Sequence, residues 1–151
     1  FESLNCLSQT EKVWLERNFE EEEVKVAIYS SAPDKSSGSD GYSMAFYHSA
    51  WDFIKSDIMG ALNHFHQHCH MVKSSNTSFI ALIPKKKGAQ NLRDFRPISL
   101  IGSVYKILAK LLAERLKYVI WKLVSREQNA FLKNRQIVDA SLIANEMLDE
   151  R

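Results

Sequence analysis

The 151-residue chain has the composition of a folded protein of ordinary domain size. Hydrophobic residues make up 45% and charged residues 25%, which excludes an intrinsically disordered chain. No apolar run is long enough to cross a bilayer, so no membrane partner is expected. The first residues, Phe1 to Leu4, contain neither an initiator Met nor a signal-peptide pattern, and we expect a piece of a longer protein. Two cysteines without metal-site spacing favour a reducing, intracellular compartment.

The net charge of +2 conceals an uneven distribution along the chain. Residues 1–34 have a net charge of −5, whereas residues 85–135 carry thirteen bases and three acids, a net charge of +10. A basic stretch flanked by acidic ends is typical of a surface that binds a polyanion. Charge alone leaves a second interpretation open, in which these residues are only solvated helix faces.

Helical spacing dominates the first half of the chain. Residues 4–18 form an amphipathic pattern, and Glu20–Glu23 open a second helix, where acids favour the helix dipole. Residues 30–41 are rich in Ser, Gly, Pro and Asp and are predicted to form a loop. Apolar residues then recur at steps of three or four from Tyr47 to Cys69, which predicts a long helix with Ser43 as its cap.

A β-hairpin is predicted after this helix. The continuous apolar run Ser78–Ile83 ends at Pro84 and predicts a strand that is buried on both faces. Residues 85–91 form a basic loop, and residues 93–100 can return as an antiparallel strand with Pro97 at an edge or bulge.

The strongest helical pattern runs over residues 104–123. We expect its inner face to consist of Leu108, Leu111, Leu112, Leu116, Val119, Ile120 and Leu123, and its outer stripe of Lys106, Lys110 and Lys117. A capping box at Ser125 and apolar spacing from about Ile137 predict two further helices. The predicted fold class is therefore α+β, rich in helices and with a small antiparallel sheet.

Two kinds of site can be weighed from residue types alone. The histidines His64, His66, His68 and His70 include pairs one helical turn apart, but no third ligand is evident, so no metal site is predicted. The sequence also contains no Gly-x-Ser-x-Gly turn and no P-loop. What remains is the basic loop beside the predicted strand, whose lysines could hold phosphates while Arg96 adds a planar, two-pronged donor. Surface solubility is the alternative explanation for these charges.

Five blocks of sequence stand in the order of a known family. They are Lys35–Gly41, Phe79–Lys85, Asp94–Leu100, Tyr105–Lys110 and Ser125–Asp139. The first is similar to a Lys-x-Pro-Gly-Pro-Asp-Gly loop, and the next three resemble the fingers of LINE-type, or non-LTR retrotransposon, reverse transcriptases. The resemblance covers the chain from about Phe19 onward. Ser37 and Ser39 depart from it, because they stand where the family usually has prolines, and the loop should therefore be less rigid.

The resemblance implies a fragment of an RNA-directed DNA polymerase with a right-hand fold. Residues 1–33 would be an N-terminal helical lead-in, and residues 34–151 the fingers and the start of the palm, truncated before the catalytic Asp motifs. No catalytic residue is then expected in the chain, and the isolated fragment should be inactive. Mg²⁺ is expected in the intact parent enzyme but not bound by this fragment.

The resemblance also implies roles for individual residues. Lys85 and Arg96 would contact the triphosphate of the incoming nucleotide. The candidates for template or other nucleic-acid contacts are Lys86, Lys87, Lys106, Lys110, Gln128 and Arg135. The implied partners are an RNA template, a DNA primer and deoxynucleoside triphosphates. The implied location is intracellular, in the nucleus or the cytoplasm, with the nucleus slightly favoured by the resemblance. Two alternatives stay open: a catalytically inactive nucleic-acid-binding module, and an inert relic of a retroelement.

Overall fold

The computed structural model describes residues 6–124 and 145, and it confirms the α+β class. Within these residues it contains four α-helices and one two-stranded antiparallel sheet. In chain order the elements are α1 (Gln9–Glu16), α2 (Glu21–Tyr29), α3 (Met44–His68), β1 (Ser78–Pro84), β2 (Phe95–Ile101) and α4 (Ser103–Leu123). Short 3₁₀ turns at Lys73–Asn76 and Leu92–Asp94 precede the two strands. The helix expected from about residue 125 lies outside the described residues, and of the helix expected from about residue 137 only residue 145 is described.

Two compact units make up the chain. One comprises Phe1–Arg17 and Glu114–Arg151, and the other Asn18–Ala113, so that the division falls inside α4. The division expected after residue 33, into a helical lead-in and the fingers with the start of the palm, stays a prediction.

The core of the unit Asn18–Ala113 is built from one face each of α2, α3 and the first half of α4. Its most deeply buried large side chains include Ile28, Trp51, Leu62, Ile107 and Leu111, each exposed by 2% or less. They come from helices whose apolar residues recur at steps of three or four and so share one face. Each such burial stabilises the fold by roughly 1.5–3 kcal/mol.

The hairpin has the expected strands but not the expected burial. Ile83 lies opposite Arg96 and Pro84 opposite Phe95, in an antiparallel register. Phe79 is 61% and Ile80 69% exposed, and the two point to opposite faces because they are adjacent in a strand. The prediction of a strand buried on both faces is therefore wrong. A two-stranded sheet has no interior strand, and among the described elements none forms a second layer that covers it.

The buried face of α4 is narrower than the sequence pattern predicts. Its buried positions include every fourth residue: Ser103, Ile107, Leu111, Arg115 and Val119. Leu108 is buried as expected, whereas Leu112, Leu116 and Leu123 are 40–46% exposed and do not belong to the inner face. The sequence pattern did not place Arg115 on the buried face, although it lies one helical turn from both Leu111 and Val119.

The unit that contains α1 is held by polar contacts at both ends of that helix. Ser8 and Glu11 form a capping box at its N-terminus, with hydrogen bonds of 2.9 and 3.3 Å between side chain and backbone. At its C-terminus the guanidinium of Arg115, 3% exposed, donates to the carbonyls of Leu15 (3.0 Å) and Arg17 (2.6 Å). These bonds satisfy carbonyl groups that lack partners within the helix.

None of the helices in the described part of the chain has both the length and the apolar character required to cross a membrane.

Candidate nucleic-acid interface

Five cations cluster in sequence at the closed end of the hairpin. Lys85, Lys86, Lys87, Arg93 and Arg96, together named here the basic hairpin end, are all exposed. Asp94 is the single carboxylate between residues 78 and 101. Gly88 permits the reversal after the third lysine, since its φ of +71° lies in the left-handed region that favours glycine. The hairpin thus presents a concentrated positive charge on a paired backbone.

The register places Lys85 and Arg96 on the same face of the hairpin. Arg96 lies opposite Ile83 in the ladder. The backbone N–H of Lys85 donates to the Asp94 carbonyl at 2.8 Å, which continues the pairing by one more residue. Residues two apart in a strand share a face, so Lys85 and Arg96 are diagonal neighbours, with a typical separation of about 7–8 Å. A single anionic group can therefore approach both side chains from one side.

The side chains of the basic hairpin end differ in what they already contact. The Lys85 ammonium donates to the Arg93 carbonyl at 2.8 Å. Lys86 pairs with Asp94 at 2.8 Å, but Lys86 is 63% exposed, and such surface pairs contribute only about 0–1 kcal/mol. The side chains of Lys87, Arg93 and Arg96 have no hydrogen-bond or ion-pair partner among the residues that the structure describes. These three cations can therefore bind an external anion without giving up an internal contact.

Two of the predicted template contacts lie elsewhere. Lys106 and Lys110 lie one turn apart on α4. They contact the loop at residues 30–42, where they donate to the Ser36 carbonyl (2.9 Å) and the Ser31 hydroxyl (3.2 Å). Their roles in template binding stay predictions. Gln128 and Arg135 lie outside the described residues.

The loop at residues 30–42 contains a contact that sequence reasoning missed. One carboxylate oxygen of Asp40 accepts the backbone N–H of Ser103 at 2.5 Å, and the other accepts that of Tyr42 at 3.3 Å. Ser103 is 1% exposed and its hydroxyl donates to the Tyr42 carbonyl at 2.9 Å. Asp40 thereby caps the N-terminus of α4, where a carboxylate is favoured by free N–H groups and by the helix dipole. The sequence shows that Asp40 and Gly41 can form a turn, but Ser103, the residue that Asp40 caps, lies 63 positions further along the chain.

The residues next to Asp40 are closely packed, and the buried phenol of Tyr47 lies near its carboxylate. A side chain at Gly38 would overlap the Ile101 carbonyl, so only glycine fits there. The hydroxyl of Ser39 makes hydrogen bonds with the Thr77 hydroxyl (2.9 Å) and carbonyl (3.2 Å), which a proline could not make. Tyr47 is 5% exposed, and burial, with the nearby charge of Asp40 as a second cause, raises the pKa of its phenol.

The histidines of α3 make local contacts. The rings of His64 and His68 stack at 4.3 Å, and Nδ1 of His68 lies 2.9 Å from the His64 carbonyl. His66 meets the ring of Phe19 edge-on at 6.0 Å. Over residues 6–124 no group of three or more His, Cys, Asp or Glu side chains is placed to hold a metal ion. The prediction that this helix binds no zinc stays a prediction.

Comparison with known proteins gives one informative similarity. No family model matches the chain. The chain is similar to the transposon TX1 uncharacterized 149 kDa protein of Xenopus laevis, with 27% identity over 148 residues. That alignment covers 98% of this chain and 11% of the Xenopus protein, so the chain spans only a small part of the relative that it matches.

Proposed function

We propose that this chain is the fingers and the start of the palm of a reverse transcriptase from a non-LTR retroelement. The observation that carries the proposal is the placement of Lys85 and Arg96 on one face of a paired hairpin. The similarity to a transposon protein over 98% of the chain supports a retroelement origin. The resemblance of five ordered sequence blocks to LINE-type enzymes supports the polymerase role.

In this proposal Lys85 and Arg96 bind the triphosphate of the incoming deoxynucleotide. The Arg96 guanidinium offers paired N–H donors that match two phosphate oxygens, whereas the Lys85 ammonium acts as a point charge. Lys85 directly follows β1 and Arg96 belongs to β2. Because the backbone at both positions is already ordered, little backbone entropy is lost on binding. Lys86 and Lys87, on the turn beyond the strand, contact the phosphate backbone of the template without reading its sequence.

The chemical step of nucleotide addition is not assigned to the described residues. Mg²⁺ would activate the primer hydroxyl and stabilise the leaving pyrophosphate in the whole enzyme. Asp94 in the hairpin and Asp40 at its base do not fit a magnesium site, because Asp40 accepts two backbone N–H groups and Asp94 pairs with Lys86. We therefore propose that this chain binds and orients substrates while carboxylates elsewhere in the parent protein hold the metal.

The test is the salt dependence of binding to an RNA template annealed to a DNA primer. Replacing Lys85, Lys86 and Lys87 with Gln should weaken binding and flatten the plot of log affinity against log salt concentration by about 0.7–0.9 per lost phosphate contact. The matched control replaces three exposed lysines outside the hairpin, Lys12, Lys25 and Lys73, at equal change in net charge. Equal effects of the two triple variants would show that only net charge matters, and the proposed interface would be wrong.

A further inference from the structure

The loop at residues 30–42, named here the clasp loop, contacts the two points where the hairpin joins the rest of its unit. Ser39 bonds Thr77, the residue directly before β1. Asp40 bonds the N–H of Ser103, two residues after β2 ends. Gly38 lies against the carbonyl of Ile101, the last residue of β2. One loop therefore spans both ends of the hairpin's base.

The other side of the clasp loop is held by α4. Lys106 donates to the Ser36 carbonyl at 2.9 Å, and Lys110 donates to the Ser31 hydroxyl at 3.2 Å. Ser31 can accept that bond because its own proton is donated to the Ala27 carbonyl at 2.8 Å. Both ammonium groups are thus engaged within the protein, and both are less exposed than the lysines of the basic hairpin end.

We infer that Asp40, Lys106 and Lys110 are positioning residues that fix the orientation of the hairpin through the clasp loop, and that the two lysines do not contact the template. The effect of this clasp on nucleic-acid binding rests on the proposed function, whereas its effect on the hairpin does not. The physical reason is that both faces of the hairpin are largely exposed. Its orientation therefore depends on its base. The end of β2 runs into α4 through Gly102, and the clasp loop links the start of β1 to the same helix through Ser39 and Ser36.

Hydrogen exchange in the full 151-residue chain tests the clasp directly. Asp40→Ala removes the cap, and we expect the amides of Ser103 and of the hairpin base to exchange about fivefold faster or more, as for loss of a typical helix cap. Asp40→Asn should restore part of the protection, because its single amide oxygen can still accept from the N–H of Ser103 while the longer bond from Tyr42 is lost. Unchanged exchange in Asp40→Ala would overturn the inference. If Asp40→Ala does not fold, the variant Lys106→Gln/Lys110→Gln takes its place, with faster exchange expected across residues 31–41.

The salt dependence of binding to a fluorescein-labelled single-stranded RNA separates positioning from contact. Lys106→Gln/Lys110→Gln should weaken binding but leave the slope against salt unchanged, since no phosphate contact is lost. The matched variant Lys86→Gln/Lys87→Gln should reduce the slope by about 0.7 for each contact. Equal losses of slope in the two double variants would show that Lys106 and Lys110 touch the RNA, and the inference would be wrong. If the unmodified chain does not bind RNA, the proposed function fails, and hydrogen exchange alone decides on the clasp.

Discussion

The guanidinium of Arg115 lies on the buried face of α4, at a position where the helical spacing calls for an apolar side chain. It is accommodated because it donates to the carbonyls of Leu15 and Arg17 at the end of α1. Buried charges are tolerated when hydrogen bonds replace their hydration.

Replacing Arg115 with Met should destabilise the chain substantially. Met fills a similar volume but leaves the two carbonyls without this donor, and charge-assisted hydrogen bonds contribute about 1.5–3 kcal/mol each. Urea unfolding should show a loss of about 3 kcal/mol, whereas Lys117→Met, which removes an exposed pair with Glu114, should cost under about 1 kcal/mol. Equal losses in the two variants would contradict the buried role of Arg115.

Glu11 should make the stability of the chain depend on pH in the acid range. Its hydrogen bond with Lys122, followed by those from Ser8, lowers the pKa of its carboxyl from 4.5 to about 2. A carboxyl whose pKa is lower in the folded state stabilises that state above the unfolded pKa, and the effect is lost as pH falls from 4.5 towards 2.

The comparison of Glu11→Gln with the unmodified chain isolates this contribution. At neutral pH the variant should melt at a lower temperature, and the difference in melting temperature should shrink below pH 4.5 and vanish near pH 2. A difference that is independent of pH would mean that Gln disturbs the capping box for another reason.

Contacts between residues that are far apart in the sequence are the part of the candidate nucleic-acid interface that could not be predicted. The cations of the basic hairpin end were identified from the sequence, because residue type and a neighbouring strand suffice to propose phosphate binding. The cap from Asp40 to Ser103 joins residues 63 positions apart, and no local pattern encodes that pairing. The positions of Lys106 and Lys110 on an outer stripe were visible from spacing, but the loop that covers them was not.

At the level of elements, the helices and the hairpin followed from periodicity, but the burial of the strands did not. The apolar run that became β1 predicts a strand correctly, because its length is too short for an ordinary helix. Whether such a strand is buried depends on a second layer of structure, which the strand's own residues do not contain. The exposed Phe79 and Ile80 show that this layer is missing from the described residues.

Replacement by alanine should change the stability of the chain in opposite directions at two glycines, Gly38 in the clasp loop and Gly60 in α3. At Gly38 a Cβ overlaps the Ile101 carbonyl, and the backbone must shift, so we expect a loss of about 1–3 kcal/mol and an opened clasp loop. At Gly60, inside α3, a Cβ meets nothing, and Ala should stabilise the helix by about 0.5–1 kcal/mol. Chemical denaturation of both variants measures the contrast, and a Gly38→Ala variant as stable as the original chain would refute the close contact.

At the level of the whole molecule, exposed apolar surface is the feature that bears on behaviour in solution. The hairpin exposes Phe79 and Ile80, and within residues 6–124 each of its strands has one unpaired edge, which favours pairing with other chains. We expect the chain to self-associate as its concentration rises, and Ile80→Lys to reduce that association. Sedimentation velocity over a range of concentrations measures it, and a chain that stays monomeric throughout would show that the exposed strands are harmless. The sequence also predicts a partly exposed apolar patch around Leu142, Ile143 and Met147, which lies outside the described residues.

The most direct test of the proposed function is nucleotide incorporation by this chain joined to a palm that carries the catalytic carboxylates. Arg96→Ala should raise KM for the deoxynucleoside triphosphate by about tenfold or more, the effect of one lost charge-assisted contact, and leave the template Kd nearly unchanged. Arg93→Ala is the matched control, because Arg93 is also exposed and stands only three residues away. We expect that control to leave KM unchanged. Equal effects of the two substitutions on KM, or no effect of Arg96→Ala, would contradict the assignment of this hairpin to the incoming nucleotide.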